Sequence, residues 1–127
     1  MALSLYNEAK KASKNTYSPY SKFPVGAAVL SKDGNIFCGT NVENASYGLT
    51  ICAERSAICN AISHGIKDIL AIAIYSKKIG VGPCGACRQF ILEFGESIDV
   101  IFKSGNKLVV KKIKDLIPNG FTGKDLL

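Results

Sequence analysis

The chain has 127 residues, of which 47% are hydrophobic, and this length suits one globular domain spanning residues 1–127. Its formal net charge is +6, but the lysines are scattered in clusters of no more than two, so the charge indicates a solvated surface and no nucleic-acid partner. No apolar run approaches the roughly 20 residues of a membrane span, and no signal peptide is recognisable, so we expect a cytoplasmic protein without a membrane partner.

The first half of the chain predicts a helix, a β-hairpin and a second helix. Residues 3–13 have amphipathic helical spacing, and two short apolar strands follow on either side of Asp33-Gly34, a dipeptide that favours a tight turn. After a polar loop, residues 51–64 predict a helix that ends at Gly65. The apolar side of this second helix is predicted to carry Ile51, Ile58, Ala61 and Ile62.

The second half of the chain predicts further strands and helices in alternation. The predicted elements are a strand at 68–76 buried on both faces, a glycine-rich loop at 77–87, a helix at 87–94, strands at 97–103 and 107–113, and a short helix at 113–117. Only residues 104–106 separate the last two strands, which is too short for a parallel crossover, so they should pair antiparallel. The order α-β-β-α-β-α-β-β-α predicts an α/β fold, a three-layer α-β-α sandwich with a mixed five-stranded sheet.

The five cysteines are an odd number in a chain without an export signal, which argues against a disulfide framework. Cys38 and Cys59 are predicted to be small buried hydrophobic residues. His64 ends the second helix, where it can interact with the C-terminal dipole, and it is not predicted to bind a metal.

The remaining three cysteines stand where helices begin, with Cys52 opening the second helix and Cys84 and Cys87 opening the third. A helix N-terminus carries partial positive charge, which lowers a thiol pKa and favours thiolates. Three thiolates that leave one coordination position open are typical of a catalytic zinc site. A redox-active Cys-x-x-Cys pair is the alternative, but it gives no role to Cys52 or to the neighbouring Glu54.

Zinc held by three thiolates has a net charge of −1 and is a poor Lewis acid. Two helix N-termini offset part of this charge. We expect Arg55 to offset more of it by donating hydrogen bonds to one or more thiolates without binding the metal itself. The alternative is that Arg55 lies on the surface on the far side of the first helical turn. Arg88 could serve the same site, or it could form a solvated or structural ion pair.

These motifs belong to a longer pattern. Cys-x-Glu followed by Pro-Cys-x-x-Cys, together with "YSPYSKFPVGAAV", "NVENASYGLTICAERSA", "GPCGACRQ" and "LIPNGF", resembles the small homotetrameric zinc-dependent cytidine deaminases along nearly the whole chain. The resemblance implies one Zn²⁺ per subunit, a nucleoside substrate, and active sites shared between the subunits of a homotetramer. It also implies a cytidine deaminase-like fold and the hydrolytic deamination of cytidine and deoxycytidine to uridine and deoxyuridine plus ammonia, a reaction of pyrimidine salvage.

The resemblance also implies roles for individual residues. Zinc-bound hydroxide would add to the amino-bearing ring carbon while Glu54, close to the metal but not a ligand, transfers the protons. The residues expected to bind the substrate are Phe23 against the base, the Ala53 backbone on the pyrimidine carbonyl, Asn41 and Glu43 on the ribose hydroxyls, and Ala45, Tyr47 and Phe121 reaching across to a neighbouring subunit.

Three alternative functions remain open from the sequence. One is a related zinc deaminase that acts on a modified nucleoside, because blasticidin-type deaminases share the zinc motif. A second is a zinc-stabilised RNA-binding or editing module, supported only by the net charge of +6. The third is a thiol redox protein, which metal analysis of the reduced protein would distinguish.

Overall fold

The structure is a computed structural model that describes residues 1–77 and 82–126. Its helices and strands in chain order are α1 (Ala2–Ala12), β1 (Val25–Ser31), β2 (Ile36–Thr40), α2 (Ala53–Ser63), β3 (Ile69–Ser76), α3 (Gly85–Leu92), β4 (Asp99–Ser104), β5 (Lys107–Lys112) and α4 (Ile113–Leu116). Their order is the predicted one. The glycine-rich loop predicted at 77–87 lies partly outside the described residues, at positions 78–81.

The sheet is mixed and five-stranded, with the strand order β2-β1-β3-β4-β5. β1 pairs antiparallel with both β2 and β3, whereas β3 and β4 are parallel and are connected through α3. β4 and β5 pair antiparallel from Asp99↔Lys112 to Ser104↔Lys107. The prediction that these last two strands are antiparallel is therefore confirmed, and Gly105, with φ of +64°, makes the tight turn between them.

Helices cover both faces of the sheet, as the three-layer prediction requires. On one face Leu5, Tyr6 and Ala9 of α1 pack against small strand residues that include Ala28 and Ala73. On the other face α2, α3 and α4 share one core with the strands. Within the residues described, none of the helices has the length and apolar character required to cross a bilayer.

Two glycines allow helices to lie unusually close to the β1–β2 hairpin. A Cβ atom added to Gly26 would lie 2.0 Å from the backbone oxygen of Ala9 in α1. A Cβ atom added to Gly39 would lie 2.3 Å from the backbone nitrogen of Ala57 in α2. Both distances are far shorter than van der Waals contact, so only glycine fits, and Gly39 fixes how closely α2 approaches the sheet.

The second helix begins later than the sequence predicted. Ile51 is not on its apolar side; it precedes the helix, pairs with Val42 in an isolated β-bridge and is 43% exposed. The buried side instead begins with Ala53, and small side chains permit the close packing against Gly39. At the other end Gly65 stops the helix as predicted, with φ of +86° and hydrogen bonds that satisfy the last carbonyl groups.

The two cysteines outside the predicted metal site are less buried than expected. Cys59 is exposed, so the prediction that it is a buried hydrophobic residue is wrong. Ala57, Ile58 and Ala61 form the buried side of α2, which turns Cys59 toward solvent. Cys38 in β2 is only partly buried.

Candidate metal centre and substrate cavity

Three cysteine sulfurs converge where α2 and α3 begin. The Sγ atoms of Cys52, Cys84 and Cys87 all lie within 4.8 Å of one another. Cys52 is the N-cap residue of α2 and Cys84 is the N-cap residue of α3, while Cys87 lies in the first turn of α3 and is fully buried. Because both helices pack on the same face of the sheet, their positive N-terminal ends meet at this cluster.

The surroundings of Cys52 favour its thiolate form. A hydrogen bond from Cys87 is the largest influence, and together with the Arg55 guanidinium it lowers the Cys52 pKa to about 5 although partial burial opposes the shift. The same hydrogen bond and burial raise the pKa of Cys87. In the metal-free protein Cys52 therefore accepts a hydrogen bond from the Cys87 thiol, which keeps its proton.

Arg55 and Arg88 have different surroundings. Arg55 Nη2 lies 3.6 Å from Cys52 Sγ and donates a second hydrogen bond, of 3.2 Å, to the carbonyl oxygen of Thr50. Arg88 instead uses Nε on the carbonyl of Pro83 at 2.8 Å and Nη1 on the carbonyl of Leu116 at 2.9 Å. Arg55 thus faces the thiolates, whereas Arg88 ties α3 to the loop before it and to α4.

Glu54 is a buried carboxylate next to the sulfur cluster, with only 5% of its surface exposed. Burial is the main cause that raises the pKa of Glu54, and the negative charge of Cys52 adds to it. Glu54 lines a cavity of about 210 Å³ together with Ala53, Cys52 and Cys84. Its neighbour Ala53 is the first residue of α2, so a backbone N–H without an intrahelical partner lies at the same cavity.

Asn41 also lines this cavity and is held by the first residue of β1 and by the segment before it. Its Oδ1 accepts hydrogen bonds from the Val25 backbone N–H, at 3.1 Å, and from the Thr16 hydroxyl. Its Nδ2 donates to the Phe23 carbonyl oxygen at 2.9 Å. Phe23 is half-buried beside Asn41, so two residues predicted to bind substrate lie next to each other.

Glu43 lies in a second, more open cavity of about 380 Å³, which Tyr47 also lines. The Glu43 carboxylate accepts hydrogen bonds from the Tyr20 and Ser21 backbone N–H groups and from the Ser21 hydroxyl. The bond from the Ser21 side chain is the main reason why the pKa of Glu43 is lowered. Thr50 lines both cavities, so they are neighbours.

The three residues predicted to reach a neighbouring subunit are all exposed. Tyr47 is 77% exposed and Phe121 is 56% exposed, and Ala45 lies in the same exposed loop as Tyr47. Of the three, only Tyr47 is among the residues that line either cavity of this chain. The Phe121 carbonyl accepts a 2.7 Å hydrogen bond from Gln89, which places Phe121 beside α3.

Comparison with known proteins shows which family the chain belongs to. Residues 2–103 match the model of the cytidine and deoxycytidylate deaminase zinc-binding region. The chain belongs to this deaminase family. It is 43% identical over 125 residues to a cytidine deaminase from Sporosarcina psychrophila, covering 96% of this chain and 92% of that protein. It is 44% identical over 125 residues to a cytidine deaminase from Halalkalibacterium halodurans, covering 96% and 95% of the two chains.

Solved structures of deaminases share the fold. A crystal structure of cytidine deaminase from Burkholderia pseudomallei superimposes with a TM-score of 0.90 at 41% identity, covering 95% of this chain and 99% of that one. The cytidine deaminase from Mycobacterium tuberculosis superimposes with a TM-score of 0.83 at 40% identity, covering 94% and 95% of the two chains. The predicted fold class and family resemblance are confirmed.

The donor set fits the zinc that this deaminase family binds. Three soft thiolate ligands suit zinc, and no fourth histidine, cysteine or carboxylate in the described part of the chain joins their cluster. A site with three protein ligands keeps a coordination position free for chemistry. Zinc is therefore the cofactor that the sulfur cluster and the family membership together indicate.

Some residues of this deaminase site were not identified from the sequence. Thr50 lines both cavities and its carbonyl accepts a hydrogen bond from Arg55, and Thr16 holds Asn41. Ser21 holds Glu43. Each acts through a contact made by the folded chain, and a single threonine or serine in a loop carries no recognisable signal of its own.

Proposed function

We propose that this chain catalyses the hydrolytic deamination of cytidine and deoxycytidine to uridine and deoxyuridine, with release of ammonia. The observation that carries the proposal is that two cysteines of the sulfur cluster, the buried Glu54 and Asn41 line one cavity. Curated relatives more than 40% identical over nearly the whole chain are cytidine deaminases, which supports the same activity here.

In this proposal Glu54 moves the protons of the reaction. Cys52, Cys84 and Cys87 would hold zinc, which when bound would supply the Lewis acidity that makes water a nucleophile near neutral pH. Glu54 takes a proton from the attacking water and delivers it to the ring nitrogen next to the reacting carbon. It then carries the second proton of the same water to the amino group, which leaves as ammonia. A buried carboxylate with a raised pKa can accept and return protons in this way.

Arg55 is proposed to tune the thiolates. Its 3.6 Å contact with Cys52 Sγ draws negative charge away from the metal ligands. The Nε atom of Arg55 is buried without a hydrogen-bond partner among the described residues, so the guanidinium keeps an unsatisfied donor near the same site. This charge-assisted contact would make a net-negative zinc site a better Lewis acid.

The proposed substrate is a nucleoside with its base at the sulfur cluster and its sugar toward Asn41 and Glu43. The Ala53 backbone N–H would bind the pyrimidine carbonyl, and Phe23 would pack against the base. The lowered pKa of Glu43 keeps this carboxylate ionised at neutral pH. A carboxylate accepts a hydrogen bond from a sugar hydroxyl but repels a phosphate, so we infer a nucleoside substrate and not a nucleotide.

We further propose a homotetramer in which neighbouring subunits complete each pocket. Exposed aromatic side chains at Tyr20, Tyr47 and Phe121 support an interface, and Ala45 would lie within it. Light scattering should give about four times the chain mass of 13.6 kDa. In a cell this enzyme would serve pyrimidine salvage in the cytoplasm.

The test is a spectrophotometric assay with cytidine, deoxycytidine, cytosine, adenosine and blasticidin S. We expect loss of cytidine and deoxycytidine absorbance by the wild type, and retention of zinc with nearly complete loss of activity in Glu54→Gln. Glu93→Gln is the matched control, because Glu93 is exposed and outside the site. A relative from Bacillus cereus that is 35% identical is a blasticidin-S deaminase. Turnover of blasticidin S alone, or an active Glu54→Gln protein, would contradict the proposal.

A further inference from the structure

The Asn41 side chain has nearly all of its hydrogen-bonding capacity engaged by the protein. Asn41 is buried, with 9% of its surface exposed. Its carbonyl oxygen Oδ1 has two acceptor positions, which the Val25 N–H and the Thr16 hydroxyl occupy. One of the two Nδ2 hydrogens is donated to the Phe23 carbonyl. No partner for the other Nδ2 hydrogen is found among residues 1–77 and 82–126, so within the described chain it is the one strong hydrogen-bonding group of this side chain left for a ligand.

The orientation of this amide follows from its backbone partners. The Val25 N–H can only donate, so it must face Oδ1, and the Phe23 carbonyl can only accept, so it must face Nδ2. A flipped amide would place a donor against a donor and an acceptor against an acceptor. Asn41 is therefore held with its oxygen toward β1 and with one spare N–H.

Thr16 determines whether the second acceptor position of Oδ1 is free. Its hydroxyl has one hydrogen, and Oδ1 of Asn41 is its nearest acceptor, whereas the Ser18 hydroxyl is 3.2 Å away and the Asn41 carbonyl 3.3 Å away. Thr16 does not line the cavity that contains Asn41 and Glu54. It lines a separate cavity of about 360 Å³. Thr16 is therefore linked to that cavity through its hydrogen bond to Asn41 and not as a lining residue.

We infer that Thr16 is a positioning residue for Asn41. Its hydroxyl occupies the second acceptor position of Oδ1, so that the Asn41 side chain can only donate a hydrogen bond to the substrate sugar. This inference rests on the proposed function, in which Asn41 binds a ribose hydroxyl. With Thr16 in place, the amide can donate to a hydroxyl oxygen but has no free strong acceptor. Without the Thr16 hydroxyl, Oδ1 regains an acceptor position and the amide loses one of the bonds that hold it. The sugar hydroxyl is then recognised less precisely, while the base is unaffected.

The experiment compares two substrates and three proteins. Wild type, Thr16→Val and Thr16→Ser are assayed with cytidine and with 2′,3′-dideoxycytidine, which lacks both ring hydroxyls. Thr16→Val keeps the side-chain shape but removes the donor, whereas Thr16→Ser keeps the donor. We expect Thr16→Val to raise KM for cytidine roughly three- to tenfold, the range of one net hydrogen bond, with kcat changed less than about twofold. For dideoxycytidine, kcat/KM should change less than about twofold, and Thr16→Ser should resemble wild type with both substrates.

A merely structural role would give a different result. If the loss of kcat/KM in Thr16→Val is the same for both substrates, or if Thr16→Ser fails to restore KM, the positioning role is wrong. If Thr16→Val folds poorly, Thr16→Ala removes the same hydroxyl and must show the same selective loss for cytidine. A wild type inactive on cytidine would overturn the proposed function and this inference with it. An active wild type without selective loss would overturn this inference alone.

Discussion

Glu54 is a carboxylate that folding removes from water and places beside thiolates. Both its burial and the negative charge of Cys52 disfavour the ionised form, and for this reason its pKa is raised. A group of this kind reduces the stability of the protein that contains it. The raised pKa that suits Glu54 to proton transfer therefore also lowers the stability of the folded protein.

The first prediction is that Glu54→Gln makes the metal-free protein more stable at neutral and higher pH. The folded-state pKa of Glu54 lies above its ordinary value of 4.5, so the folded protein holds this proton more tightly than the unfolded chain. The resulting destabilisation is absent below that ordinary value and grows as the pH rises through the folded pKa. The glutamine does not titrate. The Tm of Glu54→Gln should therefore exceed that of the wild type by a few degrees at pH 8, which corresponds to about 1 kcal/mol, and should equal it near pH 4.

Thermal unfolding of chelator-treated protein at several pH values measures this difference. Glu93→Gln serves as the control because Glu93 is exposed, and its Tm should follow the wild type at every pH. A Glu54→Gln protein less stable than wild type at pH 8 would show that the carboxylate is stabilised by its surroundings.

The second prediction separates Arg55 from Arg88. Arg55→Gln removes the contact with Cys52 Sγ, so zinc affinity or kcat should fall roughly 10- to 100-fold while the fold is retained. Arg88→Gln instead removes hydrogen bonds to two backbone carbonyl groups and should lower the free energy of unfolding by about 1–3 kcal/mol. Zinc content, steady-state kinetics and urea unfolding of both variants measure the two effects. Unchanged zinc content and turnover in Arg55→Gln would rule out its role in tuning the thiolates.

Helical geometry explains which residues of the site could be predicted from the sequence. Each of the three cysteines stands at the start of a predicted helix, and two helices on one face of a sheet can bring their ends together. Arg55 is three residues after Cys52, a spacing that places both on one side of a helix. Arg88 directly follows Cys87, and its direction depends on the carbonyl of Leu116 in α4, a tertiary contact that no local pattern reveals.

The start of α2 shows the same limit at an element boundary. Ile51 fits the apolar spacing of the helix but pairs with Val42, so a β-bridge formed by distant residues decided its conformation. The exposure of Cys59 likewise follows from the rotation of the helix on the sheet, which depends on the close contact of Ala57 with Gly39. Periodicity identifies a helix, but its exact start and rotation depend on what packs against it.

The third prediction concerns the glycines that allow the helices to lie so close to the hairpin. Gly26→Ala and Gly39→Ala would each force backbone apart, because the added methyl group meets Ala9 or Ala57 backbone atoms and no flexible side chain. Each should lower the free energy of unfolding by about 1–3 kcal/mol or more. Urea unfolding tests this, with Gly123→Ala as the control, since a Cβ there meets no atom within 4 Å. A stability equal to wild type in either hairpin variant would contradict the close packing.

At the scale of the whole molecule, the sulfur cluster joins two helices that are separated in the chain by β3. Cys52 belongs to α2, whereas Cys84 and Cys87 belong to α3. A metal bound by all three cross-links the two helices, and a ligand that binds only the folded state stabilises that state. Metal occupancy and folding should therefore depend on each other.

The fourth prediction is that removing zinc lowers the Tm of the protein by on the order of 10 °C. Free zinc at about 1000 times its dissociation constant stabilises the folded state by about 4 kcal/mol. Cys84→Ala should have a low zinc content and a Tm that no longer responds to a chelator. Cys59→Ala is the matched control, because Cys59 is exposed and outside the cluster, and it should bind zinc as the wild type does. A Cys84→Ala protein that retains stoichiometric zinc would show that the ion is held elsewhere.

The tight turn between β4 and β5 leaves β5 as the last strand of the sheet, with a row of backbone donors and acceptors that another chain could extend. Lys107 and Lys111 lie on this strand and are exposed, whereas the Lys112 ammonium group pairs with Asp99 at 2.8 Å. A second copy of the chain that paired with this edge would place its own lysine ammonium groups next to those of the first copy. Water would have to be removed from the ammonium groups of both copies. Two of the charges that contribute to the net charge of +6 therefore disfavour edge-to-edge aggregation through β5.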